Sequence, residues 1–295
     1  MSRKTKMKKS EKRDRAKSAA FLAPSFIGVM TFFVVPFFVV IYYALIDNPI
    51  SHNFVFLDNI KNVLNNSAFR LAALNTIKFS AMAVPLAVIL SLMLAMILDS
   101  KIPFKSQMRS FFLSPMMVPV ASIVLIWQVM FHYNGVVNEF IMMLGGGKID
   151  WFKSDNAQIV IVLLFLWKNL GYNMILFMAA LSSIPEDLIE VARLENAKPW
   201  QIFFFIKLRY LSSTILFVTI MSLINSFKVF REIYLLTGDY PYESLYMLQH
   251  FMNNTFRTLD YQKLSAAAII MSAVMVVIIG ILFIVENHFG KDVEG

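Results

Sequence analysis

Six long apolar runs, at residues 18–46, 71–98, 110–131, 159–181, 203–227 and 264–285, set the limits on what this chain can become. Each is close to the ~20 residues needed to cross a ~30 Å hydrocarbon core. A backbone in lipid must satisfy its own hydrogen bonds, which only helices and closed barrels do. The runs lack the period-two alternation of a barrel strand, so the expectation is an all-α membrane protein with six transmembrane helices. A hydrophobic fraction of 58% against 16% charged residues agrees, because a soluble globule carries more charge and less apolar mass. Pro36, Pro85, Pro115 and Pro119 fall inside or at the ends of the runs. They read as bends for packing, which neighbouring helices make tolerable.

The net charge of +8 is unevenly spread: nine Lys and Arg lie within residues 3–17, directly before the first run. A basic flank in that position reads as cytoplasmic, held by the positive-inside rule and by anionic lipid. It is a poorer fit to a nucleic-acid arm, so no nucleic-acid partner is expected. The run that follows is far longer than the ~7–15 apolar residues of a cleaved signal peptide, and it reads as the first span. With the N-terminus inside, 17 of the 27 Lys and Arg fall on the cytoplasmic side, Lys101 and Lys291 among them. Both termini are therefore expected to be cytoplasmic. The organisation that follows is a basic cytoplasmic tail (1–18), a first transmembrane helix (19–46) and an outer loop (47–70). A five-helix core (71–286) and a cytoplasmic C-terminal tail (287–295) complete it.

The chain has no Cys, which excludes a disulfide framework and a thiolate nucleophile. His52, His132, His250 and His288 form no pair at helical ligand spacing, so neither a metal site nor a cofactor is expected. Gly145-Gly146-Gly147-Lys148 resembles the end of a phosphate-binding loop. That loop requires Gly at 142 and Ser or Thr at 149, and the chain has Met142 and Ile149. Nucleotide binding by this chain is therefore not expected.

Residues 183–202 form a polar interruption between the fourth and fifth runs. Ser183-Ile184-Pro185-Glu186 has the elements of a capping box, with Ser as N-cap and Glu three residues on. Asp187 and Glu190 add acid near the N-terminal end, where the helix dipole favours it. Lys198-Pro199-Trp200 reads as the end of the helix. The order Glu190, Ala192, Glu195, Ala197, Phe203, Ile206, Leu208 resembles the coupling motif of the permease subunits of ABC importers. Val191, Glu195, Asn196 and Arg209 depart from that motif, which has Ala, Asp, Gly and Pro there. Asn tolerates a left-handed backbone, so Asn196 is expected to preserve the turn. Further stretches are similar to the maltose-type, multiple-sugar branch of these permeases. They are Phe56-Leu57-Asp58-Asn59, Ile149-Asp150-Trp151, residues 167–174 and residues 230–238.

The resemblance implies a type I ABC importer permease fold, with a coupling helix at 183–200 that docks into a separate cytoplasmic ATPase dimer. Glu190, Val191, Ala192, Glu195, Asn196 and Ala197 would make that contact. It further implies a second, homologous permease as partner, an extracytoplasmic solute-binding protein and a carbohydrate substrate, with no covalent chemistry on this chain. Lys168, about 13–14 Å into the fourth run at 1.5 Å per residue, is read as the one charge deep in a span. Intramembrane charges face a bundle interior or an aqueous cavity, although a Lys can also snorkel to the interface. Trp167, Lys168, Asn169, Tyr172 and Asn173 are the candidate substrate path. Lys228, Arg231 and Glu232, placed beyond the fifth run, read as structural or interfacial groups. The alternative is a type I permease for a polyamine, phosphate ester or amino acid. An ion-driven carrier should place carboxylates inside its spans, and none lies inside the six runs as drawn.

Overall fold

The computed structural model describes residues 2–100 and 103–290, so Lys101, Lys291 and the last five residues of the C-terminal tail lie outside it. Five helical stretches are long and apolar enough to cross a membrane: Lys17–Ala44, Ser67–Asp99, Ala157–Leu181, Ser212–Thr237 and Tyr261–Asn287. A bent pair, Lys105–Met117 and Val120–Met130, makes up to a sixth. Among the described residues there is no strand, only an isolated antiparallel bridge between Ile46 and Phe54.

Two of the expected spans differ from what forms. The third run is broken, because Val118 and Pro119 are extended (ψ 134° and 136°) and the flanking helices meet at 99°. A residue before proline is pushed out of the helical region by the pyrrolidine ring, so Pro119 ends one helix and starts another rather than bending one. The fifth span lies nine to ten residues later than expected, at Ser212–Thr237 rather than 203–227. Its apolar signal is diluted by Lys228, Arg231 and Glu232, which the sequence reading placed outside. Lys168 is therefore not the one charge within a span; Lys78 in Ser67–Asp99 is another.

The chain divides into two compact units. One comprises Met1–Leu64 and Thr258–Ser272. Its helices are α1 (Ser2–Val29) and α2 (Val35–Ala44), joined by a π-helical turn at Met30–Val34, with α3 beginning at Asp58. Proline lacks an N–H, and the wider π turn ends two residues before Pro36, with the Val35 amide bonded to the Met30 carbonyl. The Asn59 amide donates to the carbonyls of Ala44 and Ile46 at 3.0 and 2.8 Å. That satisfies orphan acceptors at the end of the first span and gives the Asp58-Asn59 sequence a structural job.

The second unit comprises Asn65–Arg257 and Ala273–Gly295. Its core is the seam between α4 (Ser67–Asp99) and α8 (Ala157–Leu181). Ala83, Ala87, Ser91 and Ala95 recur every fourth residue on α4 and are fully buried. Small residues in a row let two backbones approach closely, the usual basis of helix association in lipid. The rings of Phe79 and Phe165 close the seam edge to face at 5.6 Å. The helices α5 (Lys105–Met117) and α6 (Val120–Met130) pack beside it. Gly171 of α8 rests directly on the backbone of Phe112 in α5.

The segment between α6 and α8 holds a short helix, α7 (Val136–Met143). Asn138, fully buried, anchors it. Its amide donates to the carbonyls of Tyr133 and Ile149, and its oxygen accepts from the Ile149 amide and the Trp151 indole, all within 2.8–3.1 Å. An asparagine has this much capacity and no more to spare.

Candidate functional site

Beyond α8 the chain forms α9 (Glu186–Leu194), α10 (Pro199–Gln201), a π-helical stretch at Ile202–Lys207, and α11 (Leu208–Tyr210). Then come α12 (Ser212–Phe227) and α13 (Phe230–Thr237), followed by α14 (Leu248–Arg257) and α15 (Tyr261–Gly290). Between α8 and the α12–α13 pair lies a cavity of about 670 Å³, within the range of clefts that hold small-molecule ligands.

Three polar ties cross the wall between these helices. The Lys168 ammonium pairs with the Glu232 carboxylate. The Asn225 amide donates to the Asn169 oxygen at 3.0 Å, and the Asn173 amide donates to the Ser222 hydroxyl at 3.0 Å. Glu232 is 4% exposed, so its charge is compatible with that position only through the ammonium opposite. The two-residue turn at Lys228–Val229 separates α12 from α13 and sets the direction of Arg231 and Glu232. Gly238, at φ 80°, closes α13 with its amide bonded to the Tyr234 carbonyl at 2.8 Å. A side chain would resist that left-handed conformation.

The structure brings only part of the expected substrate path to the cavity. Lys168, Asn169 and Tyr172 line it. Trp167 does not; it is one residue off the face and packs against Trp127 at 6.2 Å. Asn173 is also absent from the lining, being 2% exposed and spent on Ser222. Groups assigned to structure or interface, Lys228, Arg231 and Glu232, do line the cavity, as does Asn225. One signal pointed to Glu232: a lysine inside a span requires a counter-charge, and Glu232 borders the next apolar run.

The second candidate element is α9. The expected capping box does not form. Pro185 occupies the N-cap position, and the Ser183 hydroxyl donates back to the Ala180 carbonyl at 2.7 Å. Nor does Lys198-Pro199-Trp200 end the helix. It ends at Leu194, and Lys198 begins the next segment, its amide bonded to the Gln201 side-chain oxygen at 2.7 Å. Asn196 takes the left-handed conformation, φ 58°. The Ala197 amide reaches the Ala192 carbonyl at 2.9 Å and the Asn196 amide reaches Arg193 at 3.0 Å. That pair of bonds is a Schellman closure, usually made with glycine.

The surface of α9 that faces away from the bundle sets apolar side chains among exposed Glu186, Asp187 and Arg193. Ile184 is buried and Ile189 packs on the same core cluster, whereas Leu188, Val191 and Leu194 are exposed, Leu194 at 82%. Glu190, Glu195 and Asn196 are exposed beside them, and Ala192 and Ala197 are partly covered. Trp200 is exposed as well, its ring beside that of Phe205.

A family profile described as binding-protein-dependent transport system inner membrane component matches residues 87–295. The trehalose/maltose transport system permease protein MalF of Thermococcus litoralis is 29% identical over 241 residues, 81% of each chain. The sulfoquinovosyl glycerol transport system permease protein SmoG of Agrobacterium fabrum is 30% identical over 270 residues, 88% of this chain and 87% of its own. Among solved structures, a bacterial ABC transporter involved in import of the acidic polysaccharide alginate matches with a TM-score of 0.80 at 20% identity. It covers 98% of this chain and 100% of that one, a likeness of fold.

Proposed function

The chain belongs to the binding-protein-dependent transport system inner membrane component family, and from that premise we propose that it is the permease subunit of an ATP-driven ABC importer for a carbohydrate. It is a multi-pass protein of the cell membrane. The observation that carries the reading is a cavity between α8 and α12–α13 with polar and charged side chains in its wall, in an otherwise apolar helical bundle. A polar solute needs such a lining to replace its hydration, because unsatisfied polar groups in hydrocarbon cost several kcal/mol each. Lys168, Asn169, Tyr172, Asn225 and Glu232 supply donors and acceptors of the kind that sugar hydroxyls match.

The force comes from elsewhere. With both termini and residues 183–200 on the cytoplasmic side, α9 offers Leu188, Val191, Leu194 and Glu190 to a cleft of an ATPase dimer. ATP binding closes that dimer and carries α9 with it. A homologous second permease completes the passage, and an external binding protein delivers the solute. Transport requires nucleotide and solute to favour different states of a two-state bundle.

Replacing Glu190 by Lys reverses an exposed charge beside the apolar surface without touching the core. The expected outcome is a protein that still inserts and pairs, in a complex whose ATP hydrolysis no longer responds to loaded binding protein. Undiminished stimulation in reconstituted complexes would count decisively against α9 as the coupling element.

A further inference from the structure

The charge on the cavity wall points to the class of solute. Lys168, Lys228, Arg231 and Glu232 line it, and three cations against one carboxylate leave two positive charges in excess. Lys168 and Glu232 neutralise one another. That locates the uncompensated charge at Lys228 and Arg231, both exposed. Among the described residues, neither takes part in an ion pair. The remaining polar lining, Asn169, Tyr172, Asn225 and Gln249, is uncharged.

Both free cations lie inside Ser212–Thr237, a stretch apolar and long enough to span a bilayer. A Lys or Arg at the centre of a span costs roughly 2.5–3.5 kcal/mol on insertion scales, so such residues are kept where they meet water or a counter-charge. The turn at Lys228–Val229 directs them to the cavity, where low-dielectric walls focus the field of like charges. Arginine matches a planar oxyanion with two parallel hydrogen bonds, and lysine adds a point charge beside it. A neutral sugar would be held by hydrogen bonds alone and would leave both cations to water.

Resting on the carbohydrate reading above, we infer that the solute is an acidic saccharide, its oxyanion group held at Lys228 and Arg231 while its hydroxyls meet Asn169, Tyr172 and Asn225. The Lys168–Glu232 pair keeps the anion from settling deeper along α8, because Glu232 already occupies that ammonium.

The test uses the full chain with its partner permease in lipid nanodiscs, titrated with trigalacturonate and with maltotriose as probes. Trigalacturonate is expected to bind roughly tenfold or more tightly than maltotriose at low salt, with the gap narrowing as ionic strength rises. Lys228→Gln and Arg231→Gln should each weaken trigalacturonate about threefold or more and leave maltotriose unchanged. Equal binding, a preference for maltotriose, binding of neither probe, or a salt-independent preference overturns the inference; so does separation of the two permeases in either variant, which would assign the cations to the subunit contact. The wild-type preference and its salt dependence decide the matter even if a variant misfolds. A neutral preference in a complex that still couples ATP hydrolysis removes the charge inference and leaves the importer reading standing. Unaltered coupling in Glu190→Lys removes the importer reading whatever the charge preference.

Discussion

The cavity and α9 use the same two kinds of side chain in opposite ways. Around the cavity, charge is buried in an apolar bundle and each deep group has its partner on this chain: Lys168 with Glu232, Asn169 with Asn225, Asn173 with Ser222. On α9, apolar Leu188, Val191 and Leu194 stand exposed on a short helix with no described residue over them. Those paired groups are internally satisfied, so they should act on the stability of the folded chain, unlike Lys228 and Arg231 on the same wall, unpaired among the described residues. The second region is left incomplete, so its residues should act on what binds there. Variants in the two regions should therefore separate cleanly in thermal unfolding and in coupled ATP hydrolysis.

The largest effect is expected at Gly171. A Cβ there would overlap the carbonyl oxygen of Phe112, a backbone atom that cannot swing aside as a side chain can. Overpacking of a tight contact typically costs about 1–3 kcal/mol and more where the backbone must move. Gly171→Ala should lower the melting temperature in detergent, and Gly171→Leu should abolish recovery of monodisperse protein. A Leu variant that melts with the wild type would mean that α5 and α8 do not hold this contact in the membrane.

Next is the ion pair. Removing one member of a buried pair strands the other, at a cost of about 3–5 kcal/mol when both are fully buried. Lys168 is 27% exposed, so water offsets part of that. Glu232→Gln and Lys168→Met should each destabilise by about 1–3 kcal/mol. The double variant should recover much of the loss, because two neutral side chains leave no stranded charge. Additive losses in the double variant would show that the two groups do not act as a pair.

A pH effect of similar scale is expected at His250, on α14 beside the cavity-lining Gln249. Burial lowers its pKa from 6.5 to about 4, against an opposing pull from Asp239. Its Nδ1 accepts the Met247 amide at 3.2 Å, which requires that nitrogen to be unprotonated. The unfolded chain therefore binds more protons between pH 6.5 and 4, so stability rises with pH through that window and is lost as pH falls. The loss should approach about 1.4 kcal/mol per unit, or about 1.6 kcal/mol between pH 6.5 and 5. His250→Phe should flatten that slope in melting curves taken across the window; an unchanged slope would assign it to other groups.

These two regions were also unequally readable in the sequence. The cues for α9 are local. Acid at its start, small residues along it and Asn196 after its last turn all lie within a dozen positions, and the left-handed turn forms as expected. Its first cap departs from the expected capping box because Pro185 already fits the N-cap position, leaving Ser183 free to bond backward to Ala180. The cavity depends on pairs 56 and 64 residues apart, Asn169 with Asn225 and Lys168 with Glu232. Nothing near Lys168 in the chain names its partner, and the hydropathy of α13 is masked by the very charges that face inward. Helical periodicity likewise explains why Lys168, Asn169 and Tyr172 share a face while neighbouring Trp167 and Asn173 do not. Adjacency in sequence alone does not distinguish the five. The broken third run shows the same limit: composition marks an apolar stretch, but Pro119 decides that it is two helices.

The smallest effect, and the finest test of the contrast, lies at Asn196. A left-handed residue costs roughly 1–2 kcal/mol for side chains with a branched or bulky Cβ, and little for Gly or Asn. Asn196→Gly should leave α9 closed, with the Ala197 amide as protected from hydrogen exchange as in the wild type. Asn196→Val should strain the Schellman closure, free the Ala192 carbonyl and raise exchange at Asn196 and Ala197 about tenfold. Global melting should stay within about 0.5 kcal/mol, since α9 buries little of itself. If Asn196→Val instead lowers global stability as much as loss of Glu232 does, α9 belongs to the same cooperative unit as the cavity. The division between a satisfied interior and an open docking surface would then fail at its most exposed point.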